Sequence, residues 1–269
     1  RTEESEFPLM VLNLSDKNYL IDILDKIRRE WLPRRLIKLG CNLSEEQEGL
    51  INSNEILNKF VNDCQKFLDC VNITNNIILE DFDNIIFEGA QGVLLDQGSR
   101  FFPHVTRSNT GLKNVLSIVK RASYIGSLEV IYVTRAYTTR HGAGPLPHEL
   151  SYPPYRQVTD ETNITNPYQG SLRFSWLNLD LLKEALKYDS WCSPIGNYPL
   201  AMLKQLAITC MDQLAEDVKY ILDGEVRTIT RGELPYLVSK AGQISVRYLS
   251  FNPVIPIENN FLSSGGAFR

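Results

Sequence analysis

The sequence predicts an α/β protein with a central, largely parallel sheet flanked by helices and a small peripheral antiparallel sheet. Three short runs of apolar, β-forming residues indicate the central strands, because each run stops abruptly at polar or glycine-containing positions. These runs are residues 85–87, 130–133 and 206–209. When a buried parallel strand ends in such a loop, the loop is placed to deliver polar groups to a ligand.

Apolar residues at helical spacing predict four helices, with Asp16 placed to act as the N-cap of the first. The helices are residues 17–31, 55–71, 112–122 and 177–188. Later runs of β-forming residues indicate the strands of the peripheral sheet, and Asp223-Gly224 is typical of a hairpin turn beside them. These strands are residues 226–230, 236–238 and 246–251.

The composition excludes several classes of protein. The chain has 269 residues, 43% of them hydrophobic, which is enough for a large core. The net charge of −4 argues against a nucleic-acid surface, which would need a basic face. No apolar run approaches the roughly 18 residues of a membrane helix. Five scattered cysteines without a C-x-x-C pair indicate neither disulfides nor a zinc site, so a reducing, cytoplasmic setting is expected.

The loop at residues 88–92, with the sequence EGAQG, is the first candidate site. Its glycines let the backbone approach a ligand closely and adopt positive φ. Gln91 brings both an amide donor and a carbonyl acceptor, a combination suited to one edge of a base. Two glycines near a strand end are also common in ordinary strand-to-helix connections, so the spacing alone leaves both interpretations open.

Three long strings carry a family resemblance. They are NIIFEGAQGVLLD at residues 84–96, PHVTRSNT at 103–110 and RAYTTRHGAGPLPHE at 135–149. In order and spacing they resemble the adenylosuccinate synthetases. Further matches are SWLN at 175–178, TCMD at 209–212 and FLSSGG at 261–266, which resembles the last nucleotide-contact loop of the family. The resemblance covers nearly the whole chain and implies a P-loop-GTPase-like ligase fold.

The resemblance implies a ligase that joins L-aspartate to IMP at the expense of GTP, with Mg²⁺, in a cytoplasmic homodimer. It assigns Gln91 to the purine 6-oxygen, Thr106 to the 5′-phosphate, and the backbone carbonyl of His141 to the ribose. Judged without the family, Thr106 is equally a candidate for capping the helix that follows. Both roles are compatible, because a helix N-terminus is itself an anion site.

Other residues are assigned to the co-substrates. By resemblance, Arg173, in the polar loop at residues 151–175, binds aspartate or the transferring phosphoryl group. Asp212 would read the N1–H and amino group of guanine through two hydrogen bonds. Ser264 and Gly265 would make a second contact with that base.

The chain also departs from the family pattern. Cys210 replaces a lysine, His141 replaces a small apolar residue, and Arg173 stands where the family has several arginines. No arginine matches the family's arginine that reaches the nucleotide of the partner subunit. These differences weaken the predicted preference for guanine, the aspartate site and the homodimer-completed site.

Two parts of the family's catalytic apparatus are absent from the sequence: the Gly-Asp-Glu-Gly-Lys-Gly-Lys phosphate loop and the general-acid histidine. We therefore interpret the chain as the C-terminal portion of a synthetase-like protein, truncated at both ends. The catalytic base, the acid and the Mg²⁺ ligands are expected outside it, and the chain alone is not expected to turn over. Residues 1–80 are predicted to be a helical segment and residues 81–269 the nucleotide-binding core of one continuous domain.

Two alternative functions fit the same residues. A sibling ligase of this fold would join aspartate to another purine nucleotide such as (d)GMP, using ATP. A non-catalytic relative would bind nucleotides without turnover. A comparison of GTP with ATP separates the first alternative from the synthetase, and an assay of turnover separates the second.

Overall fold

A computed structural model of the chain describes residues 6–73, 79, 81–160 and 163–249, and the backbone of 255–256 and 267–268. It divides into two compact units, Arg1–Ile78 and Leu79–Arg269. No helix in these described ranges is long and apolar enough to cross a membrane.

The described part of the first unit is helical. Its elements are a 3-10 turn (Val11–Ser15), α1 (Lys17–Lys26), a π-helical turn (Ile27–Trp31), α2 (Leu32–Leu39), α3 (Glu45–Asn52) and α4 (Asn54–Cys70). The carboxylate of Asp16 accepts hydrogen bonds from the amides of Asn18 and Tyr19 at 3.1 and 3.0 Å, which confirms the predicted N-cap of α1. Leu20 of α1 is fully buried against Val61 of α4.

The second unit contains both strands and helices. Its helices are α5 (Lys113–Arg121), α6 (Leu179–Cys192) and α7 (Leu234–Gly242). Its strands are β1 (Ser127–Arg135), β2 (Thr138–Arg140), β3 (Glu149–Leu150), β4 (Arg173–Ser175), β5 (Leu177–Asn178), β6 (Ala201–Thr209), β7 (Asp217–Leu222), β8 (Glu225–Thr230), β9 (Ser245–Leu249), β10 (Ile255–Pro256) and β11 (Ala267–Phe268).

The strands confirm the predicted fold class. β1, β6 and β9 form a parallel sheet in the order β1-β6-β9. The prediction that places the strand at residues 246–251 in the peripheral sheet is wrong, because residues 245–249 pair with β6 of the central sheet. β2, β4 and β3 form a small antiparallel sheet, and β7 pairs with β8 antiparallel and with β5 parallel. β10 and β11 form a separate antiparallel pair. Asp223 and Gly224 connect β7 to β8 with φ of 54° and 75°, which confirms the predicted hairpin turn.

The main hydrophobic core joins the parallel sheet to the hairpin and to α7. Leu206 and Ile208 of β6, Val218 of β7, and Leu234 and Val238 of α7 are fully buried within it. Fully burying side chains of this size stabilises a fold by about 1.5–3 kcal/mol each. This packing holds the end of β6, where Asp212 follows, at a fixed position relative to β7 and α7.

Residues 85–87 do not form the predicted strand. They lie in irregular structure, with Ile85 38% and Ile86 41% exposed. A strand needs a neighbouring backbone for its N–H and C=O groups, and no strand of the described ranges pairs with this segment. Phe87 packs instead against a small cluster that includes Leu116 and Val119 of α5.

Residues 236–238, predicted as a strand, belong to α7. Pro235 lies in its first turn, where the missing N–H of proline is tolerated. Leu234 and Val238, one helical turn apart, are both buried. The helical period therefore overrides the β-forming character of the short run.

The helix predicted over residues 177–188 begins later and is longer than expected. Leu177 and Asn178 pair with Tyr220 and Ile221 of β7 as strand β5. The side chain of Asn178 then accepts a hydrogen bond of 3.0 Å from the Leu181 amide and begins α6.

Candidate functional site

The carboxyl-terminal ends of β1 and β6 lie side by side at one edge of the parallel sheet. Arg135, the last residue of β1, is opposite Thr209, the last residue of β6. The Ala136 amide donates to the Thr209 carbonyl at 2.9 Å just beyond this pair. The segments at residues 136–149 and 210–214 therefore begin next to each other. Ligands of α/β proteins bind at this edge of the sheet.

The turn after β6 exposes Asp212 and fixes its neighbours. Met211–Gln213 form one 3-10 turn, which follows Cys210 with its φ of 60°. Gln213 is buried and accepts a hydrogen bond of 2.6 Å from the hydroxyl of Tyr137. Burial raises the pKa of Tyr137, so this hydroxyl stays protonated and donates. The exposed Asp212 carboxylate makes no hydrogen bond or ion pair with any residue that the structure describes.

Arg140, the last residue of β2, ties two loops together. Its Nε donates to the Ala143 carbonyl at 3.1 Å, and its Nη2 donates to the His104 carbonyl at 2.7 Å. Gly144 lies against this contact with φ of 108°, and a Cβ there would be 2.4 Å from Nη2 of Arg140. The loop after β2 thus needs glycine at this position, because any other residue would be strained and would displace the guanidinium.

Arg173 of β4 holds the other side of the same loop. Its Nη1 donates to the carbonyls of Gly142 and Gly144 at 3.0 and 2.8 Å. Its Nε donates to Oε1 of Glu149 at 2.8 Å, and its Nη2 donates to Oε2 of the same carboxylate. The hydrogen bond to Arg173 lowers the pKa of Glu149, and the same bond raises the pKa of Arg173. Glu149 therefore occupies the guanidinium fork that the sequence predicts for an aspartate or phosphoryl ligand.

Asp96 organises the loop that contains Gln91 and Thr106. Its carboxylate is buried and accepts hydrogen bonds from the Gly98 amide at 2.9 Å, the Thr110 amide at 3.0 Å and the Tyr188 hydroxyl at 2.9 Å. Burial alone would raise the pKa of Asp96, but these three donors outweigh it and hold the pKa below its usual value. The charged carboxylate is therefore the form that stabilises the loop.

This lowered pKa predicts a loss of stability in acid. The unfolded chain takes up the proton first, near its ordinary pKa of 3.8. The contribution of Asp96 is thus complete above that value and declines as the pH falls through the folded-state pKa. We expect Asp96→Asn to lower the free energy of unfolding by about 1–3 kcal/mol at pH 7, with the difference from wild type shrinking below about pH 4. Urea unfolding at a series of pH values measures both quantities.

Asp212→Asn serves as the control for this pH series, because its carboxylate is exposed. It should follow the wild-type curve. A difference between Asp96→Asn and wild type that stays constant down to pH 2 would contradict the assignment.

The start of α5 is bound by Asp189 of α6. Asp189 is 1% exposed and accepts hydrogen bonds from the Leu112 amide at 2.9 Å and the Tyr132 hydroxyl at 2.6 Å. Gly111 makes room for this contact, since a Cβ there would lie 2.0 Å from Oδ1 of Asp189. A carboxylate at a helix N-terminus accepts hydrogen bonds from the free amides there and interacts favourably with the positive end of the helix dipole. Asp189 therefore takes the capping role that the sequence leaves open for Thr106.

The structure shows the setting of the other predicted residues. Gln91 is exposed with φ of 60°. Thr106 is half-buried, and its amide donates to the Leu95 carbonyl at 2.7 Å. His141 is half-buried with Nε2 3.3 Å from the Gly170 carbonyl. Ser264 and Gly265 lie outside the described residues.

Hydrogen bonds bring some of these segments together. The bond from Arg140 to His104 joins the loop of Thr106 to the loop of His141. The bond from Tyr137 to Gln213 joins the turn of Asp212 to the segment between β1 and β2. Within the described ranges, no hydrogen bond connects Gln91 to these loops directly.

Sequence reasoning missed the residues that position these loops. Only Asp96 has a local signal, because an aspartate two residues before a glycine is typical of a turn closed by its own side chain. Glu149, Asp189 and Gln213 bind partners that are 24, 77 and 76 residues away, so nothing nearby in the sequence marks them.

Comparison with known proteins identifies the family. The chain matches the family model described as adenylosuccinate synthetase over residues 15–253. The adenylosuccinate synthetase of Francisella tularensis subsp. tularensis is 36% identical over 143 residues, which are 53% of this chain and 32% of that protein. The enzyme of subsp. novicida is 37% identical over 142 residues, with 52% of this chain and 32% of that protein covered. The matched part spans 32% of the length of these relatives.

A solved structure supports the fold. It is a fully ligated adenylosuccinate synthetase from Plasmodium falciparum, with a TM-score of 0.61 and 17% sequence identity. The match covers 94% of this chain and 66% of that one. At this identity the likeness concerns the fold alone, whereas the family model extends over most of the sequence. The chain belongs to the adenylosuccinate synthetase family.

Proposed function

We propose that this chain supplies nucleotide-binding loops to a purine nucleotide ligase that forms adenylosuccinate from IMP and L-aspartate with hydrolysis of GTP. One observation carries the proposal. The loops of Thr106, His141 and Asp212 are joined by the hydrogen bonds of Arg140 and Tyr137 at the carboxyl edge of a parallel sheet. Family membership and this arrangement together favour a site for two nucleotides.

The substrate nucleotide would lie along the loops after residue 88 and after β2. The exposed amide of Gln91 is suited to donate to the purine 6-oxygen. The hydroxyl of Thr106 has no partner in the described ranges and is suited to the 5′-phosphate. The backbone carbonyl of His141 would accept from a ribose hydroxyl.

In the proposed reaction GTP phosphorylates the 6-oxygen of IMP, the aspartate amine attacks C6, and phosphate leaves. Gln91 would orient the 6-oxygen during both steps. The proton-transfer groups are not among the residues described above. The sequence predicts that Arg173 binds aspartate or the phosphoryl group. In this role the substrate would have to displace Glu149 from the guanidinium.

Mg²⁺ and GTP are the expected cofactor and co-substrate. The described residues contain no group of three or more His, Cys, Asp or Glu side chains that could hold a metal ion. The phosphate-loop string is also missing from the sequence. The described residues thus offer no such cluster for Mg²⁺, and no step above depends on the metal.

The proposal extends to a cytoplasmic homodimer. Helix α4 exposes Ile56, Phe60 and Phe67 by about half each, at 49%, 50% and 49%. Their spacing of four and seven residues puts them on one face of the helix. A second copy of the chain is the partner that the family suggests for this apolar face.

The experiment for the proposed function compares GTP with ATP. We expect the chain to bind GTP more tightly, because Asp212 can accept from both N1–H and the amino group of guanine, whereas adenine leaves the carboxylate unpaired. Asp212→Ala should weaken GTP binding at least about tenfold and leave ATP binding unchanged. Calorimetric titration of both nucleotides provides the measurement, and Asp217→Ala, at the exposed start of β7, is the matched control.

Tighter binding of ATP than GTP would overturn the guanine assignment and favour the sibling ligase that uses ATP. A second candidate function is a nucleotide-binding relative without turnover. The ion pair between Arg173 and Glu149 favours this second function, because the arginine that was predicted to bind L-aspartate is already paired with a carboxylate of the chain.

A further inference from the structure

Two arginines bind three successive carbonyls of the loop after β2. Arg140 donates to the carbonyl of Ala143, and Arg173 donates to those of Gly142 and Gly144. Each carbonyl group has a hydrogen bond to a charged donor, which is stronger than one to a neutral donor. The loop contains residues with φ of 86° and 108° and has no regular strand pairing of its own. Its conformation is thus fixed by guanidinium groups.

The two arginines are neighbours by the register of the sheet. Arg140 of β2 pairs directly with Arg173 of β4. Burial lowers the pKa of Arg140, and the nearby charge of Arg173 lowers it further. Glu149 provides the compensating negative charge. It lies in β3, which pairs with β4 on the side opposite β2, and its carboxylate forms an ion pair with Arg173. The carboxylate is thus needed to hold two like charges at adjacent positions.

Arg173 has little capacity left for another ligand. Its Nε, Nη1 and Nη2 make four hydrogen bonds in total, two of them to Glu149 and two to the loop. A substrate carboxylate could bind Arg173 bidentately only by displacing Glu149, and the two loop carbonyls would still hold Nη1. The contacts of Arg173 are those of a residue that shapes a neighbouring loop.

We infer that Arg173, oriented by Glu149, is a positioning residue for the nucleotide loop at residues 140–144 and does not bind the amino-acid substrate. This inference rests on the proposed function, since the loop is assigned to the ribose of IMP. Arg140 acts on the same loop from the other side and anchors it to His104. The aspartate site then uses other groups.

The test uses Arg173→Lys and Glu149→Gln in the 269-residue chain. Lysine keeps the charge but has three donors on a single nitrogen and cannot make the four hydrogen bonds of the guanidinium, so we expect IMP affinity to fall roughly tenfold by calorimetry. Glu149→Gln should weaken IMP binding in the same direction, because Arg173 loses its anchor. Arg227→Lys, in the exposed β8 strand, is the matched control and should bind like wild type.

The opposite outcome would identify Arg173 as a residue that binds L-aspartate. In that case Arg173→Lys would leave IMP affinity unchanged. Glu149→Gln would free the guanidinium and strengthen the saturation-transfer NMR signal of L-aspartate. Either result would overturn the positioning role.

A second measurement separates this inference from the proposed function. The amide signals of Gly142 and Gly144 in ¹⁵N-glycine-labelled protein report the loop without any nucleotide. We expect the chemical shifts of both amides to change in Arg173→Lys, because the guanidinium contacts the carbonyls of these two glycines, and the shift of Gly196, which lies away from the loop, to stay the same. If wild type fails to bind IMP, the proposed function fails, while these two amide signals still decide the positioning role. Unchanged shifts of both glycines in Arg173→Lys would overturn it.

Discussion

Gly144→Ala is expected to abolish binding of IMP and to lower the free energy of unfolding by about 3 kcal/mol. Alanine at φ of 108° is strained, and its Cβ would lie 2.4 Å from Nη2 of Arg140 and 2.6 Å from Cβ of His104. The guanidinium would have to leave the His104 carbonyl, which it contacts at 2.7 Å. The two loops that we assign to the substrate nucleotide would then separate. Urea unfolding and calorimetry with IMP measure the two effects.

Gly196→Ala is the control for Gly144→Ala. Gly196 also has positive φ, 59°, but no atom lies within 4 Å of the position of its Cβ. It should lose about 1 kcal/mol from backbone strain alone and keep its nucleotide affinity. Equal IMP binding by Gly144→Ala and wild type would show that the loop after β2 does not form the nucleotide site.

Asp189→Ala is expected to lower the free energy of unfolding by about 3 kcal/mol or more, because it leaves several donors without an acceptor. The Leu112 amide, the Tyr132 hydroxyl and the Ser193 hydroxyl all donate to this buried carboxylate, at 2.9, 2.6 and 3.2 Å. Loss of the carboxylate also uncaps α5, which follows the loop of Thr106. Tyr132→Phe removes one of these bonds and should cost about 1 kcal/mol.

A double-mutant cycle tests the contact between Asp189 and Gly111 by comparing the changes in unfolding free energy of the single and double variants. Gly111→Ala alone should be strongly destabilising, because its Cβ would lie 2.0 Å from Oδ1 of Asp189. In the Asp189→Ala background that oxygen is gone, and Gly111→Ala should cost little. Contacting residues show such coupling, whereas independent ones add. Additive effects would contradict the contact between Gly111 and Asp189.

Local sequence signals predict the parts of the fold that depend on near neighbours. The Asp16 cap and the Asp223-Gly224 turn are confirmed, because their partners lie within a few residues. The apolar run at residues 206–209 lies within β6, where both faces are buried. Residues 85–87 fail as a strand, because strand formation depends on a distant partner that the run itself does not specify.

In the candidate site, too, some residues are recognisable from the local sequence and others depend on distant partners. Gln91, Thr106 and Asp212 are recognisable from strings that resemble a family, and their roles stay predictions. The pairing of Arg173 with Glu149 is different, since it depends on the antiparallel arrangement of β2, β4 and β3. An arginine in a polar loop looks like a ligand-binding residue until the carboxylate beside it is known.

The most direct test of the account is a calorimetric titration of the chain with IMP, in parallel with Gly144→Ala and Gln91→Ala. We expect saturable binding of one nucleotide per chain, abolished by Gly144→Ala and weakened by Gln91→Ala. The absence of binding by wild type, or equal binding by all three proteins, would contradict the assignment of these loops to the substrate nucleotide.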